Sequence, residues 1–283
     1  MAHGTFQVPF PVNEPVLSYA PGSPERDELK DMYNKMYNQD PIDVPMYIGG
    51  EMVRTSDKRP MTPPHEHGKI LGHSNYGDAS HVDAAITAAL SARKKWAAFS
   101  FVDRATIFLK AADLIAGKYR AKLNAATMLS QGKNCYQAEI DASCELIDFL
   151  RFNAYFAQDI LAVQPESSEG VWNRTEYRAL EGFTFALTPF NFTAIAANLP
   201  ACMALMGNVV VWKAAGTQMY SAQVLMEIFR EAGVPDGVIN LIAVDGRVAG
   251  DVIFKHPDFS GLHFTGSTAV FRHLWKTIGD NLE

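Results

Sequence analysis

The sequence has 283 residues, 48% hydrophobic and 20% charged, enough to bury one large α/β core or about two smaller ones. With 25 basic against 31 acidic residues the net charge is -6 and no basic block stands out, which excludes an electrostatic grip on nucleic acid phosphates. No apolar run approaches the roughly 18 residues of a membrane-spanning helix, and Pro9, Pro11 and Pro15 interrupt any signal-like segment, so a soluble, unexported chain is expected.

Residues 1–45 are rich in Pro, Asn, Asp and Tyr and read as an arm outside the core, helical only from Pro24 to Asn38. Met46 to Thr55 places two short β-prone runs around Gly49-Gly50, the signature of a tight hairpin. A Pro/His/Gly loop is expected over 60–77, then a helix capped by Ser80, since Val82, Ala85, Ile86, Ala89 and Leu90 recur at the helical period. Residues 103–130 and 135–162 keep that period and predict two long helices. From about residue 170 the text turns β-rich (VWNRTEYRALEGFTFALTPF). Short apolar runs then alternate with helical stretches: FTFAL, 193–206, NVVVWK, 217–232, GVINLIAV, 246–255 and GLHFTG. Gly207 and Gly233 fall at helix ends, and Phe271, Leu274, Trp275, Ile278 and Leu282 lie on one stripe of a last helix. Strands separated by single helices predict an α/β fold with a parallel sheet covered on both faces, binding ligands beyond the carboxyl ends of its strands.

Neither the dinucleotide fingerprint GxGxxG nor a phosphate loop ending Gly-Lys-Ser/Thr is present. In HFTGSTAVF a strand ends at Phe264, Gly266 allows a close turn, and Ser267 and Thr268 open a helix whose N–H groups suit a diphosphate; an ordinary capped helix has the same pattern. In TPFNFTA, Thr188 and Asn191 sit between strand and helix, where an amide can face a developing oxyanion or merely form a turn. Lys213 is the one charge ending an apolar strand, either solvated or a ligand group at the same edge. Three cysteines without CxxC spacing fit a reducing compartment, which makes the Asn-x-Thr triplets at Asn173 and Asn191 chance matches. Cys202 reads as core, Cys135 and Cys144 as helical, and none as a nucleophile. His65 and His67 lack a second ligand cluster, so no metal is expected.

Together TPFNFTA, NVVVWKAAG and FTGSTAVF, with 22 residues from Asn191 to Lys213 and 75 to Gly266, resemble the aldehyde dehydrogenase superfamily. The flanking stretches NEPVLSYAPGSPERDELK, LSQGKNCYQAEIDASCELIDFLRFNAYFAQ and RALEGFTFALTPFNFTAIAANL look like its delta-1-pyrroline-5-carboxylate dehydrogenase branch, over nearly the whole chain. The resemblance implies a Rossmann-type sheet, with 1–45 as the arm and 46–163 as hairpin and helical layer of the cofactor domain. It implies 164–186 as a β-rich oligomerisation segment and 187–283 as the dinucleotide-binding part. It implies NAD as cofactor, glutamate semialdehyde as substrate, a homo-oligomer at full length, and no nucleic acid or membrane partner.

By the same resemblance Asn191 helps form the oxyanion hole and Lys213 reaches the adenine ribose. Thr188 lies on the cofactor path, and Gly266, Ser267, Thr268, Ala269 and Val270 form the cofactor-phosphate turn. Glu145 and Phe192 are placed beside the substrate, which periodicity and composition would not have singled out. The sequence departs from the family pattern at Phe190, often Trp, at Thr193, often Pro outside this branch, and at Gly216, where many members carry an acid that binds ribose hydroxyls. That last change leaves NAD over NADP open. The family's general-base Glu and nucleophilic Cys are expected beyond Glu283, so a truncated, inactive species is expected, with a non-catalytic nucleotide-binding or assembly module, or another aldehyde dehydrogenase subfamily, as the alternatives. The lack of an Arg-rich leader favours a bacterial cytoplasmic protein, or a matrix protein if eukaryotic.

Overall fold

Near-continuous apolar runs become the central strands of the structure, a computed structural model that describes residues 6–281. The first half comprises α1 (Pro24–Asn38), β1 (Ile42–Val44), β2 (Met46–Ile48), β3 (Glu51–Val53), β4 (Asp57–Met61) and β5 (Gly72–Tyr76). A helical layer follows: α2 (Ala79–Ala97), α3 (Phe101–Ala116), α4 (Arg120–Gln131), α5 (Cys135–Ala138), a π-helical segment Glu139–Cys144, and α6 (Glu145–Ala162). The last part alternates strand and helix: β6 (Phe183–Leu187), α7 (Thr193–Leu205), β7 (Val210–Lys213), a 3-10 turn Gly216–Gln218, α8 (Met219–Ala232), β8 (Ile239–Ile242), α9 (Gly246–Ile253), β9 (Phe259–Phe264) and α10 (Thr268–Gly279).

The main sheet has the order β3-β2-β8-β7-β6-β9. Strands β8, β7, β6 and β9 are parallel, while β2 runs antiparallel to β8 and carries β3 as a hairpin. The hairpin turns through Gly49 and Gly50, both at positive φ (61° and 91°), as a two-residue loop of this kind requires. Val210, Val211, Trp212 and all of β8 are buried, as expected of strands covered on both faces. Helices α2 and α7 both pack on β6, β7 and β8. A second sheet, β1-β5-β4, lies outside this frame.

Several expectations need correction. Residues 60–77 are not all loop, because β4 pairs antiparallel with β5 and β5 pairs parallel with β1. Asp57–Met61 has no apolar alternation and is held by its ladder with β5, while buried Asn75 ties β5 to β1 by donating its amide to Asp43 and to the Val44 carbonyl. The helix expected over 103–130 breaks at Gly117, and Asp78 rather than Ser80 caps α2, accepting from Ser80 N–H. The stretch 135–162 is helical throughout but not of one winding: Glu139–Cys144 forms a π-helical turn that buries Glu139, Asp141 and Ser143. The supposed arm reaches the core, burying Tyr19, Leu29 and Met36.

The β-rich segment expected at 164–186 forms a strand only from Phe183 onward. Residues 163–182 have no ladder partner among the described residues; the loop closes on itself through Thr175 N–H to Gln164 Oε1 (2.9 Å) and Tyr177 O–H to the Val163 carbonyl (2.9 Å). Cover on both faces also fails at the sheet's last strand. Of the apolar stripe on α10 only Leu274 is buried, Phe271 and Trp275 are exposed, and Leu282 lies outside the described residues. Between β9 and α10 runs an apolar groove of about 450 Å³.

Candidate functional site

Parallel strands all point their carboxyl ends the same way, so the loops that follow them collect at one edge. Here Leu187 stands opposite both Lys213 and Phe264. Thr188 N–H donates to the Lys213 carbonyl and Thr265 N–H to the Leu187 carbonyl, each at 3.3 Å, which extends the alignment one step beyond the strands. Thr188 is buried, and its hydroxyl accepts from Trp212 Nε1 at 3.1 Å, leaving its own proton to donate. Lys213 is half-buried and makes no ion pair or side-chain hydrogen bond among the described residues. Burial pushes its pKa below the usual lysine value, opposed by the negative charge of Asp245. Gly266 to Val270 are exposed, and Ser267 caps α10 by accepting from Val270 N–H at 3.3 Å. The remaining first-turn N–H groups of α10 have no intrahelical acceptor.

Just beyond Lys213, Gly216 opens the 3-10 turn. A Cβ at Gly216 would overlap the hydroxyl oxygen of Tyr76 on β5, so the phenol fills the place a side chain would take. The Arg59 guanidinium lies 3.6 Å from the centre of the Tyr76 ring, and its Nη1 bonds Asp245 Oδ1 at 2.8 Å. That hydrogen bond raises Arg59's pKa and holds the Asp245 carboxyl below the usual range. Arg59, Tyr76 and Asp245 carry no sequence signal as a group: Arg59 precedes and Tyr76 lies within a stretch expected to be loop, and only the tertiary fold brings them toward Lys213.

Asn191 lies exposed between β6 and α7, with no side-chain partner among the described residues. Thr193 is buried, and its backbone N–H faces the Asp141 carboxylate from the π-helical segment and favours its charged form. Lys133 forms an ion pair with Asp141, and its ammonium stands 4.0 Å from the centre of the Phe192 ring. Glu145, at the start of α6, is half-buried; burial and then the charge of Asp141 raise its pKa, with Lys133 opposing. Lys133 and Asp141, which the sequence did not single out, thus join Glu145, Phe192 and the start of α7. Asp141 Oδ1, Gln131 Oε1 and both amide atoms of Gln218 are buried without a partner among the described residues.

Burial raises the thiol pKa of Cys144 to about 12 and that of Cys202 to about 11, so neither is a thiolate near neutral pH. Cys202 is only partly buried, with Sγ 3.4 Å from His263 Nδ1, rather than a core residue.

A sheet edge with a lone lysine, a capped helix start and an exposed Asn before a second helix start is therefore present in the order the motifs implied. A family profile described as "Aldehyde dehydrogenase family" matches residues 53–283. The chain belongs to the aldehyde dehydrogenase family. It is similar to the delta-1-pyrroline-5-carboxylate dehydrogenase of Agaricus bisporus, 51% identical over 280 residues, covering 99% of this chain and 51% of that protein. The human mitochondrial enzyme of the same name is 46% identical, with 96% of this chain and 48% of the relative covered. A crystal structure of the Mycobacterium tuberculosis delta-pyrroline-5-carboxylate dehydrogenase bound with NAD superposes with a TM-score of 0.97 at 50% identity, covering 99% of this chain and 52% of the other. An NAD-bound Thermus 1-pyrroline-5-carboxylate dehydrogenase gives 0.86 at 28% identity. The chain spans about half the length of the curated relatives it matches. No helix among the described residues is long and apolar enough to cross a membrane.

Proposed function

We propose that this chain is the cofactor-binding half of an NAD-dependent dehydrogenase that oxidises L-glutamate 5-semialdehyde to L-glutamate in proline breakdown. The observation that carries the reading is the convergence of Thr188, Lys213 and the start of α10 on one sheet edge, in a chain 50% identical to an NAD-bound relative. The donor set fits NAD: the open N–H groups at residues 267–269 suit a diphosphate, and a half-buried lysine with no protein partner among the described residues suits the hydroxyls of a ribose. When bound, NAD supplies the hydride acceptor.

The chain's own groups do the rest of the binding half. Asn191 donates its amide to the aldehyde oxygen as negative charge builds there, an interaction whose loss costs about 3 kcal/mol in enzymes that use it. Phe192 forms an apolar wall held by Lys133, and Glu145 meets the substrate's ammonium group or orients water. The reaction also needs a thiolate and a general base. Burial keeps Cys144 and Cys202 as thiols near neutral pH, and the 283 residues alone are expected to bind cofactor without turnover.

Calorimetric titration of the purified chain with NAD tests the reading. Saturable binding, weakened tenfold or more by Lys213→Ala and by Ser267→Ala, supports it. No binding by a sample shown to be folded overturns it.

A further inference from the structure

We propose that the cavity between α1, α4 and α8 binds a free α-amino acid with an aliphatic side chain, at a site separate from the sheet edge and independent of the cofactor reading above. The cavity measures about 310 Å³, at the lower end of the range for small-molecule sites. Lys122 of α4 and Glu227 of α8 meet in an ion pair on its wall, their side chains 32% and 31% exposed. The pair sets a positive and a negative group side by side, which complements an amino acid headgroup, whose carboxylate and ammonium share one carbon. With the carboxylate against Lys122 and the ammonium against Glu227 the charges alternate around a ring, and each contact is a charge-assisted hydrogen bond. Lys35, exposed where it lines the cavity and without an ion-pair partner among the described residues, is a second donor for the carboxylate. A purely anionic ligand would be repelled by Glu227, and a purely cationic one would face two lysines.

Two further groups on the same wall have unfilled hydrogen-bonding capacity. Tyr220 is 1% exposed, and its hydroxyl oxygen accepts from Gln39 Nε2 at 3.0 Å, while its own proton has no acceptor among the described residues. Burial pushes the phenol pKa up to about 12, so that proton is in place at neutral pH. Gln223 Oε1 is buried without a partner among the described residues, and its Nε2 lies 3.4 Å from Glu227 Oε1. A buried acceptor left open in this way marks a place where a ligand or water completes the bonding. Tyr220 can donate to the carboxylate, and Gln223, by turning its amide, can accept from the ammonium. The rest of the wall is Met32, Met36, Ile42 and Val224, an apolar and partly pliable surface that suits an aliphatic side chain and offers nothing to a charged one.

The test is calorimetric titration of the whole chain, without dinucleotide, with L-leucine and with its two partial analogues: isocaproate, which lacks the ammonium, and isoamylamine, which lacks the carboxylate. The expected result is saturable L-leucine binding with a dissociation constant of about 1 mM or tighter, each analogue binding at least about tenfold more weakly, the scale of one charge-assisted contact. Glu227→Gln should weaken L-leucine about tenfold and leave isocaproate within about threefold. Lys35→Ala, at an exposed position, should weaken L-leucine and isocaproate alike by about threefold and keeps the test open if Glu227→Gln disturbs the α4–α8 contact. No saturation by L-leucine up to about 10 mM in a sample shown to be folded would overturn the proposal. So would an analogue that binds as tightly as L-leucine, or variants that leave L-leucine binding unchanged. Because no dinucleotide is present, the outcome stands apart from whether the sheet edge binds NAD.

Discussion

Arg120 and Lys133 flank the same helix, α4, one at its first residue and one just past its last, and each pairs with an acid of the same π-helical segment. At the Arg120 end the polar groups satisfy one another. Glu139 is fully buried and accepts from Arg120, from Tyr19 O–H at 2.7 Å, from Leu17 N–H at 2.9 Å and from Asn124 at 2.8 Å. Arg120 also bonds Glu14 and the Pro15 carbonyl. At the Lys133 end, Asp141, Gln131 and Gln218 keep buried atoms unpaired. Burial alone would raise the Glu139 pKa, but bonds from Arg120 and Tyr19 outweigh it and hold the carboxyl low; for Asp141 burial wins and the pKa is raised. A closed network fixes geometry, here the N-terminal strap and Tyr19 at its positive φ of 50°. An open one marks where water or a ligand completes the bonding, and it lies beside Asn191, Phe192 and Glu145.

The largest test of this contrast is Glu139→Gln, which keeps shape and removes the charge. It should cost about 3–5 kcal/mol in urea unfolding, because Arg120 loses its fully buried counter-ion and keeps only Glu14 at the network's edge. Asp141→Asn should change stability by less than about 1 kcal/mol, since its charge is already penalised by burial; equal costs would break the comparison. The pH dependence follows the same signs. Glu139's contribution is present above the usual carboxylate range and lost as pH falls through its lowered pKa, so the acid-side loss of stability should shrink in Glu139→Gln.

A smaller effect sharpens the account of the sheet edge. Gly216→Ala should cost about 1–3 kcal/mol by overpacking against Tyr76, and most of that should return in a Tyr76→Phe background. A cost unchanged by removing the hydroxyl would show that Tyr76 is not the obstacle. Lys213→Met should be the mildest, stabilising the chain by about 0.5–1 kcal/mol at neutral pH while weakening dinucleotide binding. Because the folded-state pKa of Lys213 is lowered, wild-type stability should rise as pH climbs from that value toward the usual lysine range, and the variant should lose that rise.

The sequence made the carboxyl edge of the sheet legible because its strands are uniformly apolar and stop abruptly at polar residues: FTFAL before Thr188, VVW before Lys213, and a strand before Gly266-Ser267. That local contrast located Thr188, Lys213 and Ser267 without any knowledge of their neighbours, and family resemblance added Glu145 and Phe192. Strands β4 and β5 were illegible because Asp57–Met61 and Gly72–Tyr76 hold their places through pairing and a buried asparagine rather than through hydrophobic alternation. The π-helical turn leaves no mark on periodicity, so Asp141 and its partner Lys133 were missed. Arg59, Tyr76 and Asp245 meet across 186 residues of chain, a separation that no local pattern reports. The 170–182 stretch is the converse case: its β-prone residues have no ladder partner among the described residues and stay irregular.

Hydrogen exchange of the chain, with and without saturating NAD, tests the central claim most directly. The account predicts slowed exchange at residues 188–193, 213–218 and 265–271, with no change in the strap at 13–20 or at the Arg120 end of α4. Protection centred on that strap, or none at the sheet edge despite measured binding, would contradict it.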